Sequence, residues 1–150
     1  MEIYATEEKQ EYMPLLLLAD EQQSMVEKYL AAGTMYVLAD EGEVRAECVV
    51  TDAGNGILEI MNIAVAPAWQ GRGYGKKLIE YVENRYRASY DWLQVGTGDS
   101  PLTIPFYEHC GFVRHHVRKN FFVENYDHPI VECGHRLIDM IVLRKKLRPY

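Results

Sequence analysis

The chain has 150 residues and a net charge of −6, with 48% apolar and 25% charged residues. This balance is typical of one compact domain, and it excludes a disordered or fibrous protein and a nucleic-acid binder that is basic over its whole surface. The apolar runs are too short to span a bilayer, and the acidic start Met1–Tyr4 does not resemble a secretory signal. We therefore expect a single cytoplasmic domain over residues 1–150, with neither a membrane nor a nucleic acid as partner.

The first half of the chain predicts strands around two helices. Apolar and polar residues alternate along Glu43–Thr51, as in one arm of an antiparallel hairpin. The next segment, Ile57–Ala66, is almost wholly apolar, as in a strand covered on both faces. The remaining predicted elements here are a strand at Glu2–Tyr4, helices at Thr6–Ala19 and Glu21–Ala32, a strand at Thr34–Ala39, and turns at 40–42 and 52–56.

The second half contains the clearest helix. Leu78, Val82 and Tyr86 recur every four residues, which predicts an amphipathic helix over Tyr74–Arg87. The other predicted elements are a strand at Asp91–Val95, a short helix at Pro101–Cys110, a strand at Phe112–Val117, an irregular segment at Asn120–His135 and a last strand at Leu137–Leu143. Alternating strands and helices flanked by hairpins indicate an α/β or α+β fold around a mixed sheet.

A glycine-rich loop joins the apolar strand to the amphipathic helix. Its sequence is Gln70-Gly71-Arg72-Gly73-Tyr74-Gly75-Lys76. Backbone N–H groups at a helix start are unpaired and carry positive potential, and glycines let a bulky anion approach them. Arg72 and Lys76 add positive charge. The loop therefore predicts a phosphate or pyrophosphate site.

Two common phosphate motifs do not fit this loop. A Walker loop requires a glycine where Gln70 stands and a hydroxyl residue where Lys77 stands. A dinucleotide-binding fingerprint requires a third glycine at position 76, which is a lysine, and an acidic residue at the end of the next strand. Both motifs are therefore excluded.

The pattern from Gln70 to Gly75 resembles the acetyl-CoA-binding motif of the GNAT superfamily of N-acyltransferases, and the resemblance extends over residues 57–113. It implies a mixed, mostly antiparallel central sheet flanked by helices, with acetyl-CoA as cosubstrate. It also implies that the loop amides from Gly71 to Lys76 hold the pyrophosphate. The backbone of the preceding strand, Ile63-Ala64-Val65, would meet the pantetheine arm and the thioester.

A second similarity to the family lies downstream. In Tyr107-Glu108-His109-Cys110-Gly111-Phe112 a tyrosine precedes the Gly-Phe pair by four residues. The resemblance implies that Tyr107 lies beside the sulfur of CoA and returns a proton to the departing thiolate; the alternative is a tyrosine that only packs in the core. Many members carry an asparagine near the preceding strand end, where this chain has Gly96–Ser100, so that contact is not carried over.

The proton acceptor for the amine is not specified by the sequence. Glu59 lies on the strand that leads to the loop, at a position where some members of the family place a general base. The alternative is that Glu59 points outward and has no chemical role. Three acidic residues of the irregular segment, Glu124, Asp127 and Glu132, are candidates for attracting a cationic amine.

Two other chemistries compete with this mechanism. All five histidines lie between residues 109 and 135 with Cys110 and Cys133, but no zinc-binding spacing is present, so we expect no metal. Cys110 could act as an acetylated nucleophile, yet its evident partner is the adjacent His109, and neighbours on a helix face different directions.

The resemblance thus implies an N-acetyltransferase that moves an acetyl group from acetyl-CoA to a primary amine by direct transfer in a ternary complex. The acceptor is expected to be a small molecule or a peptide, and the enzyme a monomer or homodimer. The alternative is a CoA-binding sensor or interaction module that has lost the chemistry.

Overall fold

A computed structural model of the protein describes residues 1–148; the last two residues of the predicted domain, 149 and 150, lie outside this range. The elements in chain order are β1 (Glu2–Thr6), α1 (Met13–Ala19), α2 (Gln23–Leu30), β2 (Thr34–Asp40), β3 (Glu43–Gly54), β4 (Ile57–Val65), α3 (Tyr74–Tyr86), β5 (Trp92–Gly98), α4 (Ile104–His109), β6 (Val113–Arg118), α5 (Phe121–Asn125), β7 (Val131–Glu132), β8 (His135–Arg136) and β9 (Met140–Lys146). Single 3₁₀ turns occupy Lys9–Tyr12 and Pro67–Trp69.

Within residues 1–148 seven strands form one sheet in the order β1-β2-β3-β4-β5-β9-β6, and β7 and β8 form a separate ribbon. Neighbouring strands of the sheet are antiparallel except β4 and β5, which run parallel. Parallel strands need a crossover, and here helix α3 lies between them in the chain. The predicted mixed, mostly antiparallel sheet is confirmed.

Helices cover both faces of the central strands. On one face, α3 and α4 pack through residues such as Leu78 and Ile104 in a core that includes Leu58 of β4. On the other face, α1 and α2 pack through residues such as Leu16 and Val26 against the inner strands β2 and β3. Strands buried on both sides explain the apolar composition of this part of the chain. No helix within residues 1–148 is both long and apolar enough to cross a membrane.

The two parallel strands separate midway along the sheet. β4 pairs with β5 only from Ile57 to Ile60, opposite Trp92 to Val95. Beyond that point β4 continues to Val65 and β5 to Gly98 without pairing with each other. The result is a gap in the sheet, called here the strand gap, and the glycine-rich loop follows directly from its β4 edge.

Three predicted elements are wrong in part. The helix predicted from Thr6 begins only at Met13, because Pro14 stands in its first turn and proline is tolerated at a helix start but not in its interior. The turn predicted at 52–56 shortens to Asn55 and Gly56, both with positive φ, so β3 extends to Gly54. The segment Asn120–His135, predicted to be irregular, contains α5 and the β7–β8 ribbon.

Candidate active site

The β4 edge of the strand gap has free backbone groups. The N–H of Ala66 bonds to Arg45 of β3 at 2.8 Å. Bonded and non-bonded positions alternate along an antiparallel pair, so Ala64 also bonds to β3, whereas Ile63 and Val65 turn their N–H and C=O groups toward the gap. Of the three strand residues predicted to meet the cosubstrate, Ile63 therefore presents a free N–H and C=O. Val65 presents only a free N–H, because its carbonyl accepts a bond from the Gln70 side chain, and Ala64 offers only its methyl group.

The glycine loop ends at an uncapped helix N-terminus. No side chain caps α3, whose N-cap residue is Gly73, and its first intrahelical bond runs from the N–H of Lys77 to the carbonyl of Gly73 at 3.0 Å. The amides of Tyr74, Gly75 and Lys76 are therefore available as donors. Gly71 and Gly73 have φ of +78° and +83°, and a Cβ at either position would meet no atom within 4 Å. Open space above free amides fits a bulky phosphate group.

Side chains around the loop stabilise its conformation and leave the space above its amides open. The indole of Trp69 lies between two guanidinium groups, with Arg45 at 4.0 Å and Arg72 at 4.3 Å from its centroid. Gln70 donates a bond to the Val65 carbonyl at 3.1 Å, so its side chain closes the turn. Arg45, which the sequence did not single out, also lies near the loop because β3 carries it there, and its guanidinium is paired with Glu43 at 2.8 Å.

The remaining loop side chains also have structural contacts. The hydroxyl of Tyr74 donates a bond to Asp40, and this bond lowers the pKa of the Asp40 carboxyl. Gly75 lies where α3 approaches α4, since a Cβ there would be 3.1 Å from the ring of Phe106. Lys76 is exposed in the first helical turn. Tyr74 and Gly75 thus face the loop through their amides, and Lys76 through both its amide and its charge.

Tyr107 is buried on α4, in the core that covers the α3 face of the sheet. Its ring packs edge-on against Phe106 and Phe112. None of the hydrogen bonds formed within residues 1–148 involves its hydroxyl. Burial raises the pKa of Tyr107, and nearby acidic groups, among them Cys48, raise it further. The hydroxyl is therefore protonated at neutral pH.

Glu59 is buried, so the alternative that it points outward is wrong. Its carboxylate accepts a bond from the amide of Gln94 at 2.5 Å and from the guanidinium of Arg118 at 3.4 Å. Arg144 in turn donates to the amide oxygen of Gln94 at 2.8 Å. Gln94 and Arg118 thus fix the orientation of the Glu59 carboxylate.

Cys110 and the histidines have no evident chemical role in this arrangement. Burial raises the pKa of the Cys110 thiol, although Lys145, whose ammonium contacts the Cys110 carbonyl at 2.7 Å, lowers it. A protonated thiol is a weak nucleophile. In the part of the chain that the structure describes, no three His, Cys, Asp or Glu side chains are placed to hold a metal ion.

A buried carboxylate that sequence analysis missed lies beside the strand gap. Glu47 of β3 is fully buried, and neither of its carboxylate oxygens has a hydrogen-bond partner within residues 1–148. Burial raises its pKa well above the ordinary value of 4.5. Glu47 pairs with Val37 on one side and with Ala64 on the other. It therefore shares the face of the sheet that α1 and α2 cover.

The α1–α2 connection is tied to the segment after α5. Asp20 accepts bonds from the hydroxyls of Tyr29 at 3.1 Å and Tyr126 at 2.7 Å. The imidazole of His128 lies between Asp127 at 2.5 Å and Glu21 at 2.8 Å, and these bonds raise its pKa.

The three acidic residues considered for amine recognition differ in their surroundings. Glu124 is exposed on α5, and Asp127 is engaged by His128. The Oε2 atom of Glu132 is buried and has no partner among the described residues. Of the three, Glu132 alone has a buried carboxylate oxygen without a partner among the described residues.

Comparisons with known proteins agree on one family. The sequence matches the family model of the acetyltransferase (GNAT) domain over residues 31–114. It is 33% identical over 139 residues to the uncharacterized N-acetyltransferase YvbK of Bacillus subtilis, covering 91% of this chain and 90% of the relative. A GNAT family acetyltransferase from Elizabethkingia anophelis with acetyl-CoA bound has a TM-score of 0.91 and 34% identity over 97% of both chains. A Bacillus subtilis acetyltransferase in complex with CoA has a TM-score of 0.87 and 33% identity over 96% of this chain and 97% of that one.

Proposed function

The chain belongs to the GNAT family and is an acetyl-CoA-dependent acetyltransferase, and from this we propose that it transfers the acetyl group directly to a primary amine within a ternary complex. The family resemblance inferred from the glycine loop is thereby confirmed. The acceptor class and the direct transfer are the steps that the proposal adds.

One observation carries the proposal: the strand gap opens between β4 and β5 and leads directly to the uncapped start of α3. The pantetheine arm would lie along the gap and pair with the free N–H and C=O of Ile63 and with the free N–H of Val65. The pyrophosphate would then reach the amides of the glycine loop. This arrangement supports a thioester held at the gap, between the two helical layers.

The residues beside the gap support direct attack by the amine. The amide of Ile63 points into the gap and would stabilise the negative charge that develops on the thioester oxygen. Tyr107 would give its proton to the sulfur when the C–S bond breaks. Cys110 is ill-suited to form an acetyl-enzyme because its thiol is buried and protonated.

A thiol-release assay with a panel of primary amines tests the proposal. Wild-type enzyme with acetyl-CoA should release CoA only when an amine such as an alkyl diamine, an amino-acid amide or a lysine peptide is present. Intact-mass analysis without amine should find no acetylated enzyme, and the Cys110→Ala variant should keep its turnover per folded molecule. Acetyl-CoA binding without thiol release for any amine would favour a sensor, and an acetylated Cys110 would overturn direct transfer.

A further inference from the structure

Glu47 is a buried ionisable residue, and no hydrogen bond or ion pair within residues 1–148 explains why its carboxylate is buried. An ionisable group that is fully buried and lacks hydrogen-bond donors destabilises the folded state, and such groups concentrate at functional sites. The other buried glutamates differ in this respect, since Glu59 is bonded to Gln94 and Glu83 to Lys145. A hydrophobic residue at position 47 would avoid this destabilisation of the folded state. The carboxyl group therefore serves a purpose other than stability.

The location of Glu47 relates it to the transfer site. It pairs with Ala64, and the methyl group of Ala64 is the side chain that separates it from the free β4 edge of the strand gap. The adjacent residue on that edge, Ile63, turns its amide toward the gap. Glu47 therefore lies one strand away from the proposed position of the thioester, on the face that α1 and α2 cover.

Several titratable groups surround this carboxylate. The charge of Glu47 raises the pKa of Tyr107 on α4, of Tyr29 on α2 and of the adjacent Cys48. The charge of Glu132, from the β7–β8 ribbon, also acts on Tyr107. Burial is the cause of the raised pKa of Glu47 itself.

We infer that Glu47 accepts the proton of the acceptor's ammonium group on the α1–α2 side of the strand gap. This inference rests on the proposed function and narrows it to acceptors that bind as cationic primary amines. Glu59, the base candidate that the family resemblance offered, is the weaker candidate because its carboxylate is already held by Gln94 and Arg118.

Glu47 and Tyr107 together balance the protons of the transfer. Binding of the ammonium favours ionisation of Glu47, whose proton leaves to solvent, and the carboxylate then takes one proton from the ammonium nitrogen. The neutral amine forms a C–N bond with the thioester carbon, and the C–S bond breaks with its electron pair on sulfur. Tyr107 protonates the thiolate and recovers the surplus proton from the new amide nitrogen. Products are the acetamide and CoA thiol.

The raised pKa of Glu47 provides a readout that a packing residue would not give. A base must be ionised to act, so kcat/KM for the acceptor should rise with pH through the pKa of Glu47. In the unfolded chain the side chain ionises near 4.5, whereas in the folded protein it keeps its proton to higher pH. Glu47 therefore lowers stability progressively as pH rises above 4.5, and its amide analogue should not.

The test compares Glu47→Gln with the control variant Glu83→Gln. Glu83 is also a buried glutamate, but it lies on the α3 face and is paired with Lys145. With the fastest amine of the panel, Glu47→Gln should lower kcat/KM on the order of 100-fold, and the acidic limb of its pH profile should disappear. Glu47→Asp should restore part of the limb. Acetyl-CoA affinity by calorimetry should stay near the wild-type value, and the loss of stability with rising pH should diminish.

The outcomes separate the inference from the proposed function. Wild-type transfer together with an unchanged rate and acidic limb in Glu47→Gln would overturn the inference and leave the proposed function intact. If the wild type transfers acetyl to no amine, both fail. An equal loss of rate in Glu83→Gln would assign the effect to disturbed packing and would also overturn the role of Glu47.

Discussion

The amide of Gln94 and the carboxylate of Glu59 lie side by side on the two parallel strands and are joined by a hydrogen bond of 2.5 Å. This pair stands at the end of the region where β4 and β5 still pair, just before the strand gap opens. Arg118 and Arg144 approach it from β6 and β9. The cluster thus links four strands across the sheet at the point where their pairing changes.

Glu59→Gln should test whether this cluster is structural. The new amide oxygen can still accept the Gln94 bond, but the ion pair with Arg118 is lost, so the free energy of unfolding should fall by about 1 kcal/mol. We expect kcat to change less than about tenfold, with the acidic limb of the pH profile retained. Denaturant unfolding and pH–rate profiles measure the two effects. Loss of the acidic limb would instead make Glu59 the general base.

Gly73→Asp should weaken acetyl-CoA binding through its charge. The position has φ of +83° and open space around it, so a side chain there would project where the pyrophosphate is proposed to lie. Asn and Asp tolerate the left-handed region similarly and differ mainly in charge, so Gly73→Asn is the matched control. Calorimetry should find acetyl-CoA at least about tenfold weaker for Asp than for Asn. Equal affinities of the two variants for acetyl-CoA would show that the pyrophosphate does not bind at this loop.

The sequence predicted the elements whose patterns are long and regular. The apolar run Ile57–Ala66 became a strand ending at Val65, and the four-residue period of Tyr74–Arg87 became a helix ending at Tyr86. The position of the glycine-rich loop between them was also predictable, because the strand, the glycines and the helix are adjacent in the sequence. The prediction for the segment after Asn120 was wrong because its single-turn helix and two-residue strands are too short to produce a periodic pattern.

Glu47 shows why the candidate site was only partly predictable. In the alternation of β3 it falls with Glu43 and Arg45, which suggests a solvated face. An alternating pattern distinguishes the two faces of a strand but does not indicate which face another element covers. Helices α1 and α2 cover this one, and Val49 on the same face is buried with them. Tertiary packing, which the local pattern does not contain, turned a predicted surface residue into a buried one.

His128 should make the α1–α2 connection sensitive to pH. Its bonds to Asp127 and then to Glu21 raise its pKa above the ordinary 6.5. The stabilising contribution is therefore fully present below pH 6.5 and is lost as the pH rises through the raised pKa. We expect the melting temperature of the wild type to decline over this interval and that of His128→Gln to decline less. Parallel curves for the two proteins would show that the bonds contribute nothing to stability.

Tyr107→Phe separates a proton donor from a packing tyrosine. The substitution keeps the ring that packs against Phe106 and Phe112, and the lost hydroxyl has no bond within residues 1–148. The melting temperature and acetyl-CoA affinity should therefore change little. If the hydroxyl protonates the leaving thiolate, kcat should fall on the order of 100-fold. Single-turnover thiol release with the fastest amine measures the chemical step directly.

Tyr81→Phe is the matched control for this experiment. Tyr81 lies on α3 and packs edge-on against Tyr36 with ring centroids 5.2 Å apart, in the same core but outside the proposed transfer site. Its loss of a hydroxyl should leave the single-turnover rate unchanged, because no proton of the reaction passes through it. The leaving thiolate is weakly basic, so the loss in Tyr107→Phe should grow as pH rises and free protons become scarce. Equal single-turnover rates for wild type and Tyr107→Phe across this pH range would assign Tyr107 to packing alone.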